Sequence, residues 1–167
     1  LLRAALQLGY ECLHVVCVYG FPNSTKDKGQ NLQNETLLKA ACAALAGVGK
    51  QPGLVCGDLN VSLEASHALT MRLDKGALTD FAQAQAWLHG DVPKPTCFQK
   101  STSVGTRIDH MLGNSLANLA FKAFKVYSHE ECPVPTHRAL GLHLDLAQSR
   151  QSVTKLRSAA PTTFCKC

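Results

Sequence analysis

The sequence predicts an α/β fold of the α+β kind, in which a mixed sheet is covered on a face by helices. Three observations carry this. Short apolar runs of strand length alternate with segments whose apolar residues recur at helical spacing. Clusters of Gly, Pro, Asn and Ser punctuate the chain between them. With 167 residues, 46% hydrophobic and 17% charged, the chain has the size and composition of one packed domain.

The elements follow in order. Glu11 to Gly20 alternates loosely, is rich in Val and Tyr, and reads as a buried strand closed by the turn Phe21-Pro22-Asn23-Ser24. Leu37, Leu38, Ala41, Ala44 and Leu45 fall on one helical face between Glu35 and Leu45, with Asn34 as the expected N-cap and Gly47 past the end. Gly53 to Cys56 is a short apolar strand running into Gly57-Asp58-Leu59-Asn60, and a second helix is expected over Leu63 to Arg72. Ala77 to Leu88 mixes helix formers with Phe81 and Trp87. Pro93 and Pro95 punctuate the chain before a strand at Thr96 to Gln99. Further strands are expected at Arg107 to Leu112, Phe124 to Tyr127 and Ala139 to Leu146. Residues 1–147 read as the domain and 148–167 as a polar basic tail or linker, with no internal repeat or low-complexity tract.

Composition narrows the function classes. No segment reaches the ~18 uninterrupted apolar residues that span a bilayer, since His14 and Gly20 break the richest run, so no membrane role is expected. The opening lacks the basic start and small-residue cleavage site of a secretory signal and reads as a chain cut mid-domain. The eight cysteines form no CxxC pair and mostly sit in strand-like apolar runs, as buried free thiols of an intracellular, reducing compartment (nucleus or cytoplasm) rather than a disulfide framework. The last acidic residue is Asp145, beyond which come Arg150, Lys155, Arg157 and Lys166. That basic tail reads as a solvated linker, or as a nonspecific attraction for nucleic acid.

Polar residues at strand ends are the candidates for chemistry, because a strand end is a rigid mount aimed at a cleft. They are Tyr19 with Asn23, Asp58 with Asn60, Asp109 with Arg107 and His110 beside it, and Thr136-His137. Taken singly, Asp and Asn after glycine are ordinary turn residues, and a lone histidine is more often structural. Their order is more informative. LVCGDLNV, TCFQ…TRIDHML and PTHRALGLHL, with VVCVYGFPNS as a looser fourth segment, occur in a succession that resembles the endonuclease/exonuclease/phosphatase superfamily. The resemblance runs from about Val15 to Leu146, and RIDHML is most similar to the endonuclease domains of retroelements.

That resemblance implies part of a two-sheet β-sandwich flanked by helices, with the N-terminal half of the fold missing. It implies a phosphodiester hydrolase, a DNA endonuclease of retroelement or repair type, dependent on Mg²⁺ or Mn²⁺. Asp58 resembles the carboxylate that orients and deprotonates the attacking water, and Asn60 the amide that holds it and the phosphate. His137 resembles the imidazole opposing charge on the scissile phosphate, with Asp109 fixing its tautomer. Tyr19 and Asn23 resemble phosphate or leaving-group contacts. Asp58, Asn60 and His137 are the implied metal residues. Phosphodiester cleavage needs such a set because the substrate is anionic: an in-line base and charge-neutralising donors are required together.

Two departures stand out. The superfamily's early asparagine and its metal-binding glutamate would lie upstream of Leu1, and Thr136 stands where the family usually has an aspartate. A hydroxyl is a far poorer magnesium ligand than a carboxylate, so the chain alone is expected to be impaired. A phosphatase for small phosphate esters of inositol type, and a degenerate binding module, are the alternatives. An open apolar surface is expected where the missing half would pack, with Val16, Val18 and Val55 at its rim or interior.

Overall fold

The computed structural model describes residues 1–8, 11–98 and 104–149. The tail from residue 150, with Cys165 and Cys167, and Gln99 lie outside the described residues.

A five-stranded sheet carries the molecule. Its strands are β1 (Leu2–Leu8), β2 (Glu11–Tyr19), β3 (Gly53–Asp58), β4 (Thr79–Asp80) and β5 (Asp109–Gly113), in the order β1-β2-β3-β5-β4. Only β2 and β3 run parallel, joined by the crossover helix α1 (Lys28–Ala46). A second sheet pairs β6 (Phe121–Val126) with β7 (Leu140–Leu144), antiparallel. The helices α2 (His67–Asp74), α3 (Phe81–His89) and α4 (Ser115–Leu119) complete the fold. It is the mixed α/β, two-sheet architecture expected from the sequence.

Strand alternation divides the core in two. Val16, Val18, Val55 and Leu112 face one side and pack under Leu38, Ala41, Cys42 and Leu45 of α1 and Ala68 and Leu69 of α2. Leu13 and Leu54 face the other, where Phe81, Ala82, Ala117 and Phe124 bring in α3, α4 and the second sheet. Phe81 stacks on Phe121 there, with ring centroids 5.1 Å apart.

Several expectations are corrected. Val16, Val18 and Val55 are fully buried under the helices, not at an open rim. On the opposite face of the sheet, Leu2, Leu6 and Leu8 of β1 are exposed and share a side with Cys17 and Tyr19 by the strand register. β1 itself was not anticipated, because its significance depends on β2 being there to pair with it. Helix α1 begins seven residues before Glu35, capped by Asp27, whose carboxylate accepts the Gln30 N–H at 2.7 Å. Asn34, expected as that cap, is buried inside the helix. The helix expected over Leu63 to Arg72 is split: a 3-10 turn at Leu63–Ala65 ends at Ser66, whose hydroxyl then caps α2. Cys97 makes isolated bridges to Thr106 and His137 instead of a continuous strand over Thr96 to Gln99. Helix α4 was also not anticipated.

The six described cysteines are free, but only Cys42 is buried; Cys17 is exposed and the others are half-buried. Among the described residues no helix is long and apolar enough to cross a membrane.

Candidate active site

Asp58 ends β3, where the strand register sets it beside Tyr19 at the end of β2 and opposite Asp109 at the start of β5. All three occupy the face turned toward the second sheet. Gly57 makes the close approach of β2 and β3 feasible: its φ is +134°, and a Cβ there would lie 2.0 Å from the Val18 carbonyl oxygen. Beyond Asp58 the chain turns through Asn60, held at φ 52°, a left-handed conformation that asparagine tolerates. The Asn60 N–H donates to the Asp58 carboxylate at 2.9 Å, and its side-chain amide donates to the Gly20 carbonyl at 3.0 Å. Ser24 donates to the Asn60 carbonyl, and the buried Asn34 side chain donates to the Leu59 carbonyl while accepting from the Phe21 N–H. The turns after β2 and β3 are therefore one hydrogen-bonded unit.

His137 arrives from far along the sequence. Its Nδ1 lies 3.1 and 3.0 Å from the two Asp109 carboxylate oxygens, which places the ring hydrogen on Nδ1 and leaves Nε2 as the free lone pair in the neutral ring. The buried Thr96 positions both partners: its hydroxyl accepts from the Ile108 and Asp109 N–H groups, and its carbonyl accepts from the Arg138 N–H at 2.7 Å. Cys97 Sγ sits 3.8 Å from His137 Nε2.

The structure thus brings Asp58, Asn60, Asp109 and His137 together, with Tyr19 beside them. Asp58, Asp109 and His137 present ligand atoms within 4.8 Å of one another. Asp109 joins Asp58 and His137 in the cluster; the Asn60 NH2 donates to Gly20, which leaves its side-chain oxygen as the atom that could accept. Two carboxylates and an imidazole suit a divalent cation by donor type. Tyr19 is 70% exposed. Asn23 lies in the turn before α1 at φ 61°, exposed, its carbonyl accepting from Lys26 and Asp27. Thr136 is exposed, and its carbonyl accepts from the Phe98 N–H.

The electrostatics are asymmetric. Burial raises the Asp58 carboxyl above its usual range, with the Asn60 N–H opposing and Asp109 adding to the rise. Burial also pushes the Cys97 thiol up, as do Asp109 and Asp58. His110, singled out with Asp109, is one strand position on and faces the opposite core. Its Nε2 donates to the Val61 carbonyl at 3.2 Å, and burial, then the Arg107 charge, lowers it to about 4. Arg107 is in turn committed to a buried ion pair with Asp80 at 2.7 Å. Neither belongs to the cluster.

Sequence reasoning missed Thr96, Asn34, Ser24 and Cys97. A threonine at a strand start and an asparagine in a helix carry no local mark of such roles.

On this two-sheet α/β scaffold a carboxylate fixed by a backbone N–H thus lies near an imidazole whose Nδ1 is held by a second carboxylate. No family model and no curated protein sequence matches the chain. Solved structures do. The 3′ phosphatase NExo from Neisseria bound to a product DNA hairpin is similar at TM-score 0.63 and 17% identity, over 86% of this chain and 64% of that one. The 3′-5′ exonuclease NExo from Neisseria meningitidis gives TM-score 0.64 at 17% identity, over 86% and 64%. An AP endonuclease from Archaeoglobus fulgidus gives TM-score 0.61 at 15% identity, over 80% and 62%. The chain thus spans less than two thirds of the length of each. Its fold is the one these three structures share over that part of their length.

Proposed function

We propose that this chain is the catalytic part of a divalent-cation-assisted phosphodiester hydrolase acting on DNA, an endonuclease domain of retroelement or repair type. The observation that carries the reading is the meeting of Asp58 and its Asn60 N–H with the Asp109–His137 pair on one sheet face. Asp58 acts as the base: its raised affinity for protons suits it to take one from an attacking water. Asn60 fixes its orientation. Asp109 holds Nδ1–H, so that Nε2 faces the phosphate and the imidazolium form, once protonated, opposes its charge. Tyr19 contributes a phenol at the mouth of the site, and Asn23 a contact from the adjoining turn. Magnesium or manganese held by Asp58 and its neighbours would supply charge neutralisation at the phosphoryl oxygens.

Plasmid nicking tests this, using the chain alone and the longest gene-encoded form that contains it. Nicking by the longer form with Mg²⁺, abolished by His137→Ala, is expected, with little from the chain alone. Thr136→Asp in the longer form should raise the rate. Silence from the longer form with intact folding would overturn the hydrolase reading in favour of a binding module. Release of phosphate from a soluble phosphoester, without salt-sensitive DNA binding, would move the substrate to small phosphate esters.

A further inference from the structure

We infer that Cys17 and Cys56 are a redox modification site, a dithiol that a hydroperoxide converts to a disulfide across β2 and β3 beside the candidate active site. The two residues are direct register partners in the parallel pairing of those strands. Their sulfurs lie 3.8 Å apart, in contact with each other. Neighbouring strands stand about 4.7–4.9 Å apart, inside the roughly 4.4–6.8 Å between Cα atoms that a disulfide spans. The backbone is therefore at bridging distance, and side-chain rotation supplies most of the closure to an S–S bond of about 2.05 Å. Among the described residues no other two cysteine sulfurs are in contact: Cys12 lies against His14, and Cys97 against His137.

The two thiols differ in access, which assigns their roles. Cys17 is exposed and Cys56 half-buried, so the oxidant meets Cys17 first and Cys56 is the resolving thiol. The Cys17 sulfur attacks the peroxide and takes up one oxygen as a sulfenic acid. The O–O bond breaks, and the other oxygen leaves with the thiol proton as water or an alcohol. The Cys56 sulfur then attacks the sulfenic sulfur. The S–S bond forms, the S–O bond breaks, and the hydroxyl departs with the Cys56 proton as water. The dithiol loses two electrons and the hydroperoxide gains them.

The bridge would sit close to the chemistry. Cys17 and Cys56 come two residues before Tyr19 and Asp58, which are the last register pair of the same two strands and lie on the same face. Between the pairs β2 and β3 are already in close approach, since a Cβ on Gly57 would lie 2.0 Å from the Val18 carbonyl oxygen. Drawing the sulfurs together there shifts the end of β3, and with it Asp58 relative to the Asp109–His137 pair. That loss of alignment rests on the proposed hydrolase; the disulfide itself does not.

Peptide mapping of the unaltered chain tests the modification. The folded chain is treated with hydrogen peroxide, its remaining thiols are alkylated with iodoacetamide, and trypsin is added without reductant. Cleavage after Arg3, Lys26, Lys50 and Arg72 places Cys17 in peptide 4–26 and Cys56 in peptide 51–72. The expected product is these two peptides joined, lighter than their sum by two hydrogens. Cys12 shares the first peptide, so Cys12→Ser should leave the link in place while Cys17→Ser removes it. Cys17 recovered as a sulfinic acid with Cys56 still alkylated, or a link that survives Cys17→Ser, would overturn the inference. In the nicking assay, peroxide should slow the longer form roughly tenfold or more, because misplacing a catalytic group by about 1 Å can cost on the order of a hundredfold. Dithiothreitol should restore the rate, and Cys17→Ser should resist peroxide. A complete disulfide with unaltered nicking would overturn its coupling to the site. No nicking in any arm would count against the hydrolase, while the linked peptide would still decide the modification.

Discussion

Acidification should destabilise the domain through His110, a buried imidazole whose neighbour in sequence carries the site. The ring is 1% exposed, hydrogen-bonded to the Val61 carbonyl, and held neutral by burial and the nearby Arg107 charge. Its pKa falls from 6.5 in the unfolded chain to about 4 in the folded one. The depressed group is a base, so above the unfolded value both states are neutral and the stability is fully present. As pH drops below 6.5, the unfolded chain takes up a proton that the folded chain refuses. Stability declines until the folded pKa is passed. At about 1.36 kcal/mol for each pKa unit, the total loss is about 3 kcal/mol, a large fraction of the ~5–15 kcal/mol that holds a domain together.

Urea unfolding from about pH 7.5 down to about pH 4 measures it, comparing the parent chain with His110→Leu and with His67→Gln, an exposed control. His110→Leu should cost about 1–3 kcal/mol near neutrality, because it strands the Val61 carbonyl, yet its stability should fall less steeply with acid. The raised Asp58 has the opposite sign, favouring the folded state at low pH, so the difference between chains is the informative quantity. Parallel pH profiles for the parent and His110→Leu would refute the argument. The loss bears on function, since Val61 follows Asn60 directly and His110 follows Asp109.

Asp80→Ala should destabilise by about 3–5 kcal/mol in chemical unfolding, because it strands the buried Arg107 guanidinium and removes the N-cap of α3, whereas Arg107→Met with Asp80→Leu together should cost less than Asp80→Ala alone. Gly57→Ala should lose more than about 1 kcal/mol and disturb the β2–β3 pairing, visible as faster amide exchange at Val18 and Tyr19, because its Cβ would strike the Val18 carbonyl. The Asp58 carboxyl, followed by NMR, should titrate above the ordinary carboxylate range, and Asp109→Asn should bring its midpoint down by removing a like charge; an unchanged midpoint would show that Asp109 does not act on it.

The sequence by itself determined the features whose causes are local. The Gly57-Asp58-Leu59-Asn60 turn is one of these, as are the apolar face of α1, the β2 strand, and the order of the motifs along the chain. Their physical basis lies in spacings of a few residues, so they are legible without a fold. Tertiary structure decided the rest. Whether Asp109 or His110 faces the site depends on which side of β5 meets the second sheet, and adjacent strand residues always point opposite ways. Asn34 reads as a cap until Leu59 and Phe21 are brought to it across the crossover. Cys97 and His137 are 40 residues apart, and nothing local to either announces the other. Their meeting follows from Thr96, whose buried hydroxyl and carbonyl pull the start of β5 and the chain before β7 onto one strand end.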